Sequence, residues 1–127
     1  MTIRVLVADD QALVRGSFRI LVDTAPDLTS VGEAATGGEA VRLARRERPD
    51  VVLMDIRMPG IDGHTVLEHL RGSPRPPSVI IVSGNHQEDE AQELLQRGAV
   101  DYVMKPIDFS YLEQAIVAAA GVAPPEP

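Results

Sequence analysis

Two adjacent acids, Asp9 and Asp10, follow the apolar run IRVLVA; a third, Asp55, follows VVLM; Ser83 follows VIIV, and Lys105 follows VDYVM. Standing directly after apolar runs, these carboxylates, hydroxyl and ammonium are the parts of one charged pocket if the runs are neighbouring strands. Carboxylates that crowd together resist full ionisation unless a cation neutralises them. All-oxygen ligation favours Mg²⁺, which keeps several waters, takes one or two carboxylates and leaves room for a phosphate oxygen. Asp10 and Asp55 can ligate it directly and Asp9 through water, with the backbone carbonyl of Arg57 completing the protein's share. One carboxylate is then left to attack.

Strands must place these groups together. Short unbroken apolar runs cover Ile3 to Ala8, Val51 to Met54, Val79 to Val82 and Val100 to Met104, with a weaker one from Leu28 to Ala34. Unbroken runs suit strands covered on both faces, as in a parallel sheet. Helical stripes alternate with them: Val14, Phe18, Leu21 and Val22; Ala40, Val41 and Ala44; Val66, Leu67 and Leu70; Ala91, Leu94 and Leu95; Leu112, Ala115, Ile116 and Ala119. Thr36 with Glu39 has capping-box spacing, Gly98 follows the fourth helix, and Gly121 with Pro124 is expected to stop the fifth. The stretch RGSPRPPS, residues 71–78, reads as a proline-rich surface connection. Five βα units wind most simply into one open α/β sheet with helices on both faces. Ligands of such sheets sit beyond the carboxyl ends of the strands.

A chain of 127 residues, 44% hydrophobic and 3% aromatic, makes one domain with an aliphatic core. Its formal charge of −7 repels polyphosphate, which argues against direct nucleic-acid binding. Zero Cys excludes disulfides and thiolate chemistry. Asp9 interrupts the N-terminal apolar run too early for a signal peptide. No stretch approaches the roughly 20 apolar residues of a membrane span. The expectation is a soluble, cytoplasmic domain.

The strings ADD, MDIRMPGIDG, VSG and DYVMKP, in that order at four strand ends, resemble the receiver domain of bacterial response regulators. The resemblance implies a flavodoxin-like sheet of five parallel strands in order 2-1-3-4-5, with the receiver domain over residues 1–120 and a linker or tail over 121–127. It implies that Asp55 accepts a phosphoryl group from the phosphohistidine of a sensor histidine kinase, and that Asp9 and Asp10 hold Mg²⁺. It further implies that Lys105 pairs with the phosphoryl group, Ser83 turns inward to bond it, Tyr102 swings with it, and Pro106 follows a cis bond. The family is a phosphoacceptor signalling module rather than an enzyme acting on an external substrate. Such receivers commonly control an output such as transcription.

Each residue also has a plainer reading. An acid pair after a strand is a helix cap, Asp55 a turn former, Ser83 a turn residue and Lys105 a surface lysine. Their joint order at four strand ends favours the functional reading. Asp62 and Gly63 are expected to shape the turn into the third helix. His64, His69 and His86 lack metal-ligand spacing, although His86 lies just past Ser83. Gly84 stands where the family commonly has alanine, and Arg57 and Asn85 occupy positions that influence water access. The fifth helix has Glu113 as its sole charge and carries Val117, Ala118 and Ala120 beyond its buried stripe, which marks a surface for a homodimer or output domain. Of the rival functions, a haloacid-dehalogenase-type enzyme needs an acid where Gln11 stands, and a flavin module needs a phosphate loop where DDQALVRG is acidic. A degenerate receiver, serving only for phosphorylation-independent docking or dimerisation, does not need the intact acids, Ser83 and Lys105.

Overall fold

The computed structural model describes residues 2–84 and 87–122. In chain order the elements are β1 (Ile3–Ala8), α1 (Ala12–Thr24), β2 (Leu28–Ala34), α2 (Gly37–Glu47), β3 (Val51–Asp55), α3 (Gly63–Arg71), β4 (Ser78–Ser83), α4 (Glu88–Gln96), β5 (Asp101–Met104) and α5 (Phe109–Val122). All strand pairs are parallel and the order is β2-β1-β3-β4-β5, as the resemblance implied.

The unbroken apolar runs follow from burial on two faces. Along β1 and β3, Leu6, Val52 and Met54 point into one core with Ala40, Val41, Leu67, Leu70 and Leu94, so α2, α3 and α4 cover that face. The alternate residues Val5, Val7, Val51 and Leu53 point into a second core with Phe18, Val22, Leu112 and Ile116, so α1 and α5 cover the other. Side chains alternate across a strand, and a sheet buried on both sides needs apolar residues at every position. β5 is the thinner edge: Met104 is exposed, and Val100, included in the apolar run, lies outside the strand and is exposed.

Local signals set the helix ends. Thr36 caps α2, its Oγ1 accepting the Glu39 N–H at 3.1 Å. The Glu39 carboxylate reaches back one residue beyond the usual box, accepting the Ala35 N–H at 2.7 Å. Asp62 caps α3 by accepting the Thr65 N–H at 2.9 Å, as expected of a turn-shaping acid. Gly37 opens α2 against the loop after β3: its N–H donates to the Pro59 carbonyl, and a Cβ there would lie 2.6 Å from the Ile61 oxygen. That contact ties α2 to the segment leaving Asp55. Gly121 does not stop α5, which runs through it to Val122; glycine tolerates helical backbone, and Pro124 lies outside the described residues. Asn85, His86 and the tail from residue 123 also lie outside them.

Among the described residues no helix is long and apolar enough to cross a membrane.

Candidate functional site

In a parallel sheet every strand ends on the same edge, and β1, β3, β4 and β5 are consecutive in the order found. Asp9, Asp55, Ser83 and Lys105 therefore stand in a row, while β2, at the far side of β1, adds none of them. Asp55 is the last residue of β3, paired with Val82, and is buried; Asp9 is 1% exposed and Asp10 is exposed. Carboxylate oxygens of Asp9, Asp10 and Asp55 lie within 4.8 Å of one another. Lys105 Nζ is 3.6 Å from Asp9 Oδ2 and 3.9 Å from Asp55 Oδ1. Its backbone N–H donates to the Ser83 carbonyl at 2.8 Å, and the peptide bond to Pro106 is cis.

Two buried polar atoms at this edge have no hydrogen-bond partner among the described residues: Asp9 Oδ2 and Ser83 Oγ. An unsatisfied buried group costs about 1–3 kcal/mol, so such groups at one spot are a standing preference for something that binds there. The other Asp9 oxygen is satisfied, accepting the Gln11 N–H at 2.9 Å. Clustered hard oxygens, one of them accepting no hydrogen bond among the described residues, fit a small divalent cation.

The electrostatics say the same. Burial pushes the Asp55 carboxyl up from 3.8 to about 6, and the neighbouring Asp9 charge adds to that, while Lys105 and the Arg57 backbone N–H pull it down. Because the folded value is the higher one, proton binding by Asp55 favours the folded state. That contribution is complete below about pH 4 and lost as pH rises through about 6. In EDTA, Asp55→Asn should melt above the parent at pH 7.5, by a margin worth about 2 kcal/mol, and the gap should close toward pH 4. Thermal melts of both proteins across that range check this; a parent more stable than the variant at pH 7.5 would contradict it.

Tyr102 lies in β5, half-buried against the core that α2, α3 and α4 cover. Arg57 is exposed, its guanidinium 3.8 Å from Glu90, and it reaches Asp55 through its backbone N–H. The N–H of Gly84 donates to the Gln87 side chain at 2.6 Å, which joins Gly84 to the start of α4.

One positioning residue escaped the sequence reading. Arg15 on α1 donates to the Asp9 carbonyl at 2.9 Å and pairs with Glu33 at 2.9 Å, while Arg19 pairs with the other Glu33 oxygen at 2.8 Å. Hydrogen bonds from Arg19 and Arg15 hold the Glu33 carboxyl below its ordinary value. The cluster fixes the backbone that carries Asp9. Its signal was a lone Glu in β2 facing two arginines one turn apart on α1.

A family model described as the response regulator receiver domain matches residues 5–117. The chain is 34% identical over 116 residues to the nitrate/nitrite response regulator protein NarL of Escherichia coli, covering 91% of this chain and 54% of that protein. It is 34% identical over 118 residues to the transcriptional regulatory protein LiaR of Bacillus subtilis, covering 93% and 56%. It thus spans about half the length of these relatives. The response regulator domain of Thermotoga maritima CheB superposes with a TM-score of 0.89 at 37% identity, covering 98% of this chain and all of that one.

Proposed function

This chain belongs to the receiver domains of two-component response regulators, and from that premise we propose that Asp55 accepts a phosphoryl group from the phosphohistidine of a sensor histidine kinase. An Asp55 oxygen forms the new P–O bond as the P–N bond breaks, and the imidazole leaves with the electron pair. The observation that carries this reading is the three-carboxylate cluster with Lys105 Nζ 3.6 and 3.9 Å from two of its members.

Asp9, Asp10, Asp55 and the backbone carbonyl of Arg57 would hold Mg²⁺, which when bound supplies positive charge to the acids and to the phosphoryl oxygens. Lys105 adds a fixed charge opposite the developing phosphoryl charge. Ser83 Oγ, buried and without a hydrogen-bond partner among the described residues, is a donor held ready for a phosphoryl oxygen. Its inward turn frees space beneath the following loop for Tyr102, which changes the outer surface near α4. The test is intact-mass analysis after incubation with phosphoramidate and Mg²⁺, which should show one added phosphoryl group; no added mass would refute the acceptor role.

Ser83→Ala removes a hydroxyl that has no hydrogen-bond partner among the described residues, so the metal-free variant should be no less stable than the parent, and up to about 1 kcal/mol more stable, while labelling persists at a reduced rate. Denaturant titration beside a labelling time course measures both; a variant destabilised by several kcal/mol would show that Ser83 is bonded at rest.

The surface that reads the switch includes α5, where Tyr111 and Val117 are 51% and 47% exposed. It suits a second receiver or an output domain. Light scattering on a sizing column should show phosphorylation-dependent dimers if the partner is a second copy; a monomer in both states removes that version.

A further inference from the structure

The opposite end of the sheet from the acids is basic. There a trough runs between the C-terminal end of α2, the start of β3 and the proline-rich connection, which spans 72–77 because Arg71 still belongs to α3 and Ser78 is already a buried residue of β4. It consists of two contiguous clefts of about 450 and 200 Å³ that share Arg48, Pro49, Pro74 and Arg75, with Arg4 and Ala120 at one end and Arg45 at the other. In a chain of net charge −7 with 12 basic residues, this local excess of arginine needs a reason.

Internal pairing does not supply it. Arg4 is committed to Glu47, 3.6 Å away, and Asp50, the acid in the trough, accepts the Arg4 backbone N–H at 2.9 Å. Arg45, Arg48 and Arg75 form no ion pair among the described residues. Arg48 closes α2 with φ of 51°, a left-handed backbone that favours glycine or asparagine. The site therefore carries arginine where the helix end alone would favour a smaller residue.

We propose that this trough binds an extended acidic peptide segment of a partner protein, its carboxylates on Arg48 and Arg75 and an apolar or prolyl side chain on the floor between Pro49 and Pro74. Arg48 and Arg75 line both clefts, while Arg4 lines only one and Arg45 only the other, so basic side chains occur in each part of the trough, as carboxylates spaced along a chain require. A second copy of this chain fits poorly, because its Glu88, Asp89 and Glu90 lie in the first turn of α4 and are helical rather than extended. Pro74, Pro76 and Pro77 restrict their loop, so little ordering opposes binding. Arginine forks pair with carboxylates through two parallel bonds, which sets the register of the peptide.

Fluorescence anisotropy of a labelled Glu-Pro-Glu-Leu-Pro-Glu peptide titrated with the whole chain tests this. Binding should be saturable and should weaken by about tenfold or more in the double variant Arg48→Asn with Arg75→Gln, as expected for two lost charge-assisted pairs. Asparagine accepts the left-handed backbone, and equal melting temperatures of variant and parent verify the fold. Arg42→Gln, on α2 outside the trough, and Asp55→Asn at the far end should leave binding unchanged. Absence of saturable binding, or equal binding by the double variant, overturns the proposal. So does displacement by inorganic phosphate at matched charge, which would mean a compact-anion site, or binding about tenfold tighter in a chain ending at Val122, which would mean the trough is held by the chain's own continuation.

Discussion

Asp55→Asn should abolish phosphoryl labelling, lowering the rate by about a thousandfold or more, because an amide oxygen is a far weaker nucleophile than a carboxylate. Asp9 and Asp10 share the pocket, so the substitution asks which acid is the acceptor as well as whether one exists. The proposed acceptor is Asp55, and the geometry supports that choice. Asp9 has one oxygen occupied by the Gln11 N–H, and its side chain is almost completely enclosed. Asp10 is exposed and draws on neither Lys105 nor the strand ladder. Asp55 ends the central strand, with Lys105 Nζ 3.9 Å from one oxygen. Because the same variant is expected to be more stable than the parent in EDTA at pH 7.5, lost labelling cannot be blamed on unfolding. Full labelling of Asp55→Asn would place the acceptor elsewhere.

Removing the divalent cation should slow labelling of the unaltered protein by about a hundredfold or more, the scale lost when a principal electrostatic stabiliser is taken from a phosphoryl-transfer site. Lys105 is the single basic side chain within ion-pair reach of the cluster among the described residues, and it faces three acids. One ammonium leaves the pocket net negative, and an incoming phosphoryl donor adds to that charge. Burial and the Asp9 charge already hold the Asp55 carboxyl near 6 in the metal-free protein, so part of the nucleophile is protonated at mildly acidic pH. A labelling time course in EDTA, then with Mg²⁺ restored, measures the effect. Equal rates in both would contradict it.

The fold was legible because each strand run is unbroken and each helix stripe is regular. Both are consequences of a sheet buried on two faces. The site was legible for the same reason: once β1, β3, β4 and β5 are parallel and adjacent, the residues that end them must meet. Cooperation between distant segments was less legible. Arg15 and Glu33 join α1 to β2 across a register that no short window reveals. The hydrogen bond from Gly84 to the Gln87 side chain is likewise invisible to a reading of strand and helix patterns. Gly121 reads as a stop signal but lies inside α5, because glycine weakens a helix without ending it when the next proline is three residues on. The basic trough went unread because its arginines come from the first strand, the second helix and a proline-rich connection whose sequence shows only a surface loop.

Calorimetric titration of Mg²⁺ into the metal-free parent, Asp10→Asn and Asp55→Asn tests most directly whether acids from two strand ends share one cation. One site per chain is expected in the parent, weakened by about tenfold or more in each variant, with protons released on binding near pH 6 in the parent and fewer in Asp55→Asn. Unchanged affinity in both variants would contradict the account.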